Sequence, residues 1–155
     1  MEAKAMTEAQ ASLELSLLNA ETQGQPLERF LDEAIANGAP PELATRLGML
    51  WEETKVIAGE VIHVGRIIVM RIIAFLKANP ALGAALAVAS AAYVLSHTIP
   101  FIGALIAPII ALAAGAIVLK EAMTLERAQQ MARDFFALLV DIFNILKDQF
   151  AGRSV

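Results

Sequence analysis

The stretch 78–119, ANPALGAALAVASAAYVLSHTIPFIGALIAPIIALAAGAIVL, contains no Asp, Glu, Lys or Arg. At about 42 residues it is twice the roughly 20 apolar residues one helix needs to cross a ~30 Å hydrocarbon core. In its middle, the only polar, breaker-containing part is SHTIP at 96–100. That break divides it into two apolar arms, 80–95 and 100–119. The division predicts an all-α fold: a two-span membrane helical hairpin flanked by long amphipathic cytosolic helices in a helical bundle. The first arm lies near the lower length limit for a span, so it reads either as a full crossing or as one arm of a re-entrant hairpin. The competing reading is a bundle that buries the hairpin, which must cover two helices apolar on every side.

Working outward, residues 41–77 hold no proline after Pro41 and read as one helix of about 37 residues, roughly 55 Å at 1.5 Å per residue. Leu43, Leu47, Leu50, Ile57, Val61, Val64, Ile68 and Phe75 form one stripe, and the charged residues fall on the other side. Within that polar arc, Glu60, His63, Arg66 and Arg71 lie in strongly apolar surroundings. They are candidates for a face on lipid headgroups, a face lining a water-filled lumen, or an ordinary helix packed on the C-terminal segment. Beyond the hairpin, 120–150 reads as one coiled-coil-like helix. Leu125, Ala128, Ala132, Phe135, Leu139, Ile142 and Leu146 keep 3-4 spacing along its seam. Arg127, Asp134, Asp141 and Asp148 recur every seven residues on the far side, as a solvated stripe or an acidic ring in an oligomer.

Residues 1–40 are acidic, with Lys4 and Arg29 against Glu2, Glu8, Glu14, Glu21, Glu28, Asp32 and Glu33. They read as two short helices and a linker. Thr7 and Gln10 form a capping box for the first helix, and Pro26 suits the first turn of the second. Leu27, Phe30, Leu31, Ala34 and Ile35 form the second helix's apolar face, and Gly38 its C-cap.

Composition excludes several functions. The chain of 155 residues is 57% hydrophobic and 18% charged, more apolar than an ordinary domain. With no Cys, and with His63 and His97 far apart, no Cys- or His-built metal centre is expected, and no cofactor. A net charge of −4 with an acidic start argues against nucleic acid as a partner. No phosphate loop, dinucleotide fingerprint or paired-carboxylate pattern occurs, and Ser96 beside His97 lacks a nearby acid, so no enzyme is expected.

Two features inside the hairpin point to assembly. Gly103, Ala107, Ala111 and Gly115 put small residues on one helix face, and Gly83, Ala87 and Ala91 do so on the first arm. Such faces let backbones approach closely, either zipping the two arms together or joining subunits of a homo-oligomer. Pro108 predicts a kink, as a plain bend or as a hinge in a gate. Arg66, Arg71 and Lys77 precede the hairpin, and Lys120, Arg127 and Arg133 follow it, while the turn carries no Lys or Arg. The lipid bilayer is the expected partner, with both termini cytoplasmic and the His97 turn toward the far side.

Two functions follow. One is a homo-oligomeric channel or pore, and the other a membrane-anchored scaffold whose residues 1–40 recruit a protein partner. The apolar hairpin and its charged flanks resemble the buried hydrophobic hairpin of pore-forming colicins. They are similar in layout to small two-span effectors of bacterial defence systems. That resemblance implies membrane depolarisation as the output and the bacterial inner membrane as the location.

Overall fold

The computed structural model describes residues 6–57, 59–79, 82, 84–97, 103–115 and 125–150. The first helix, α1 (Glu8–Glu21), starts where the capping box places it. The Gln10 N–H donates to Thr7 Oγ1 at 3.1 Å, and the Thr7 N–H donates to Gln10 Oε1 at 2.9 Å. These two bonds satisfy donors that a helix start leaves open. Pro26 is the N-cap of α2 (Leu27–Ala36), one residue before the expected first turn. Its C-terminus is a Schellman motif. Gly38, at φ 100°, donates to the Ile35 carbonyl at 2.9 Å, and Ala39 donates to Ala34 at 3.0 Å. Only glycine adopts that left-handed backbone without Cβ strain, and the paired Ala34 and Ala39 are buried.

The continuous helix expected over 41–77 is replaced by two helices with a β-hairpin between them. These are α3 (Pro41–Trp51), β1 (Lys55–Ile57), β2 (Glu60–Ile62) and α4 (Val64–Ala78). The strands are antiparallel, with Val56 opposite Val61 and Ile57 opposite Glu60. Gly59 in the connection has φ 82°. The reason is local chemistry. Val56, Ile57, Val61 and Ile62 are β-branched and straddle a glycine, which favours a two-residue hairpin over a helix interior. Ile57 and Ile62 turn inward while Val56 and Val61 face out.

Helices α5 (Ala84–Ser96) and α6 (Gly103–Gly115) are the hairpin arms, and they pack on one another. The described part of each has 13 residues, about 20 Å at 1.5 Å per residue against a ~30 Å hydrocarbon core. Among the described residues, no helix is long and apolar enough to cross a membrane.

The C-terminal helix runs as α7 (Leu125–Phe135), α8 (Ala137–Ile145) and α9 (Lys147–Phe150). The junctions at Phe136 and Leu146 keep the helical bonding: Phe136 N–H to Ala132 O at 2.9 Å, and Leu146 N–H to Ile142 O at 3.0 Å. The expected single helix is therefore one rod with two irregular residues.

Helix α5 packs against α4, α6 and α7. Helix α3 packs on α6, α2 on α3 and α4, and α1 on α8, α4 and β2. One apolar core runs from Ala11 on α1 to Leu146. A surface triad ties α2 to the end of α4, with Glu33 carboxylate oxygens 3.4 Å from both Arg29 Nε and Lys77 Nζ. Exposed pairs of this kind add little stability.

Candidate functional site

Seven consecutive residues of α5, Leu86 through Ala92, are buried. At 3.6 residues per turn, that run leaves no face of this stretch of the helix in water. The feature arises because α5 carries no charge and few polar atoms, while the flanking helices have an apolar side to offer it. Ala87 and Ala91, from the small-residue face of the first arm, are fully enclosed. Gly83 lies outside the described residues. Ser90 is also fully buried, and its Oγ has no hydrogen-bond partner among the described residues.

Helix α6 behaves differently. Ile106, Ile109 and Ala113, at i, i+3 and i+7, are buried, whereas Ala107 and Ala111 are exposed. Of the second small-residue face, Ala107 and Ala111 lie on a side of α6 turned away from the core. Pro108 lies inside α6, half-buried.

An unsatisfied buried hydroxyl is costly, so Ser90→Ala is expected to raise stability by about 1–2 kcal/mol. A thermal or denaturant midpoint checks this. A fall in the midpoint would mean that the hydroxyl has a partner in solution.

The polar face expected from Glu60, His63, Arg66 and Arg71 is dispersed, because its helix is interrupted. Glu60 lies on β2 and accepts bonds from Ser16 Oγ at 2.6 Å and Asn19 Nδ2 at 3.2 Å. Asn19 Nδ2 also donates to the Val61 carbonyl at 3.0 Å, and Asn19 Oδ1 accepts from the His63 N–H at 2.8 Å. His63 is the N-cap of α4. Arg66 stacks over Trp51 at 5.6 Å, and Trp51 meets Phe30 at 5.5 Å. Arg71 lies beside Leu18, Glu21 and Thr22 at the end of α1. These four residues together fasten α1, α3 and α4 rather than line one surface. The spacing of apolar residues does not single out the central fastener, Asn19. Its signal is a lone amide on the buried face formed by Ala11, Leu15 and Leu18.

The Ser16 hydroxyl, and after it the Asn19 amide, hold the Glu60 carboxyl below the usual carboxylate range, with burial opposing weakly. A carboxyl whose pKa is lowered on folding adds stability above its unfolded value. That stability is lost as pH falls through the lowered folded value. The acid-side fall of the melting midpoint is therefore expected to be shallower in Glu60→Gln than in the parent chain. Identical slopes would show that the clasp does not titrate.

On the C-terminal rod, Ala128, Ala132, Leu139, Ile142 and Leu146 are buried, as the seam requires. The side chain of Leu125 lies outside the described residues. Phe135 is the exception at 38% exposed, while its neighbour Phe136 takes the inner place. Phe136 is the irregular residue between α7 and α8, and the expected seam resumes at Leu139, Ile142 and Leu146. Phe75 of α4 meets both rings, at 5.2 Å and 5.7 Å.

Where the end of α5 meets this rod there is an open groove of ≈ 570 Å³. Val94, Ala137 and Val140 supply apolar lining; Tyr93, His97, Arg133 and Asp141 supply the polar groups. The His97 ring lies edge-on to Tyr93 at 4.5 Å. Ser96 Oγ donates to the Tyr93 carbonyl at 2.8 Å, so its hydroxyl is engaged locally. No group of three or more His, Asp or Glu among the described residues is placed to hold a metal ion. Comparison with protein-family models, characterised proteins and solved structures finds no match.

Proposed function

We propose that this chain is a membrane-inserting protein that holds its apolar hairpin inside a helical bundle and forms a homo-oligomeric pore once inserted. The observation that carries this reading is α5. From Leu86 to Ala92 it is buried on all sides by neighbours, within about 42 residues free of Asp, Glu, Lys and Arg. Such a helix is costly in water and equally at home in hydrocarbon, so the bundle and the bilayer are its two stable environments. The apolar sequence continues beyond α6 through 116–119, which supplies residues for a longer span. In the inserted form the Gly103, Ala107, Ala111 and Gly115 face joins subunits, where close backbone approach replaces the missing hydrophobic drive. The charged flanks stay on the cytoplasmic side of a bacterial inner membrane, and depolarisation is the output.

The test is release of a trapped dye from phospholipid vesicles, together with single-channel recording in planar bilayers. Gly103→Leu/Gly115→Leu is measured beside the parent chain. Discrete current steps are expected from the parent, and they vanish or change size in the double variant. A silent bilayer containing demonstrably inserted protein overturns the pore.

A second reading is favoured by one feature of α1. Its outer face exposes Leu13 and Leu17, 61% and 52% accessible, in a helix that also carries Glu14 and Glu21. An exposed leucine pair bordered by carboxylates suits a partner helix with an apolar stripe and basic edges. In this reading the hairpin is an anchor and α1 recruits the partner.

A further inference from the structure

The groove between the end of α5 and the C-terminal rod has a chemistry that neither functional reading uses. Arg133 and Asp141 both line it, yet they do not pair with each other. Among the described residues Arg133 Nη1 makes a long contact, 3.4 Å, to Gln130 Oε1. Asp141 is exposed and has no partner among the described residues. The two stand eight residues apart on a rod whose helical bonding continues through Phe136, which is about 12 Å along the axis. One groove thus offers a cation at one end and an anion at the other. Val94, Ala137 and Val140 line it with apolar surface, and the volume lies within the ordinary range of small-molecule sites.

We propose that this groove binds a zwitterionic phosphodiester of the phosphoethanolamine type. The anionic end is assigned by its donors. Arg133, Tyr93 and His97, whose side chains carry guanidinium, phenol and imidazole donors, line the groove from α7 and from the end of α5. Three separate donors suit an anion with several oxygens better than a two-oxygen carboxylate, and the Arg fork matches phosphate geometry. The cationic end is assigned by Asp141, which repels a plain anion and attracts an ammonium group. The apolar lining accommodates the glycerol and the start of an acyl chain. The ligand bridges α5 to α8, so binding favours the closed bundle over any form in which α5 has left it.

The chain itself supplies the reporters. Tyr93 is the sole tyrosine, and of the two histidines His97 lines the groove and His63 does not. Protein labelled with 3-fluorotyrosine is titrated with glycerophosphoethanolamine, with glycerol 3-phosphate, and with dihexanoylphosphatidylethanolamine below its micelle concentration. Glycerophosphoethanolamine is expected to shift the fluorine signal and the His97 ring resonances saturably, to leave His63 unmoved and to raise the melting midpoint. Arg133→Ala weakens it about tenfold, and Asp141→Asn removes its advantage over glycerol 3-phosphate. Both side chains are exposed, so the variants keep the parent's helix content and midpoint without ligand. Tighter binding of the dihexanoyl compound identifies a lipid as the source of the headgroup, and equal binding identifies the free phosphodiester. The proposal is overturned by no shift with any of the three compounds, by unchanged affinity in Arg133→Ala, or by glycerol 3-phosphate binding the parent as tightly as the zwitterion does.

Discussion

Phe75→Ala lowers the stability of the bundle by about 4 kcal/mol, and Phe135→Ala by about 1–2 kcal/mol. Both rings belong to one aromatic cluster, with Phe75 5.2 Å from Phe135 and 5.7 Å from Phe136. What separates them is burial. Phe75 is fully enclosed, whereas Phe135 is 38% exposed. Removing the enclosed ring forfeits its transfer from water and leaves a void between α4 and α7, two of the helices that cover α5. Urea unfolding measures the difference, and equal losses would mean that the cluster is not packed as described. A second readout connects stability to the proposed activity. Loosening α4 from α7 uncovers α5, so Phe75→Ala is expected to bind more of an apolar dye. It should also release vesicle contents faster than the parent chain. Loss of stability with no gain in either would separate the covering of α5 from membrane action.

Much of this architecture was legible in the sequence, because it depends on contacts between near neighbours. The capping box at Thr7 and Gln10 and the left-handed glycine at 38 are backbone requirements met within a few residues. The C-terminal seam is a periodicity, and among the described residues it breaks at Phe135 and Phe136, where the irregular junction between α7 and α8 puts Phe136 inward. The hairpin at 55–62 was not read, because Leu50, Ile57, Val61 and Val64 fit a helical stripe by number alone. Their β-branching and Gly59 carried the contrary signal, and the Asn19 fastener that holds the hairpin comes from a segment about 40 residues away. The apolar hairpin of the candidate site was conspicuous as a run without charge. Its burial was not, because composition does not distinguish a helix enclosed by protein from one enclosed by lipid. The groove depends on α5 meeting the rod, a contact between distant segments that no spacing rule encodes. From sequence, Asp141 was one member of a solvated heptad stripe.

Gly65→Ala costs about 3 kcal/mol or more, whereas Gly48→Ala stabilises by about 0.5–1 kcal/mol. Both residues are helical glycines without a positive φ, so backbone freedom does not explain the contrast. Space does. A Cβ on Gly48 meets the ends of Leu31 and Leu27 at 3.7 Å and 3.8 Å, which is ordinary contact. The substitution there gains only the helix preference of alanine. A Cβ on Gly65 runs into the Leu50 carbonyl oxygen and comes within 3.1 Å of the Glu53 nitrogen. Those atoms are backbone and cannot rotate aside. Gly65 N–H also donates to the Glu53 carbonyl at 3.0 Å, so the close approach closes the excursion from α3 through the β-hairpin back into α4. Displacing α4 here moves His63, whose N–H binds Asn19, and with it the clasp between Glu60, Ser16 and α1. Gly65→Ala is therefore expected to lose amide-exchange protection first in α1 and the hairpin, before the α5–α7 contacts open. Chemical denaturation supplies the free energies, and hydrogen exchange supplies the order of opening. A Gly65→Ala protein as stable as the parent would mean that α3 and α4 do not approach closely. Uniform loss of protection would mean that α1 and the hairpin are not a separable unit.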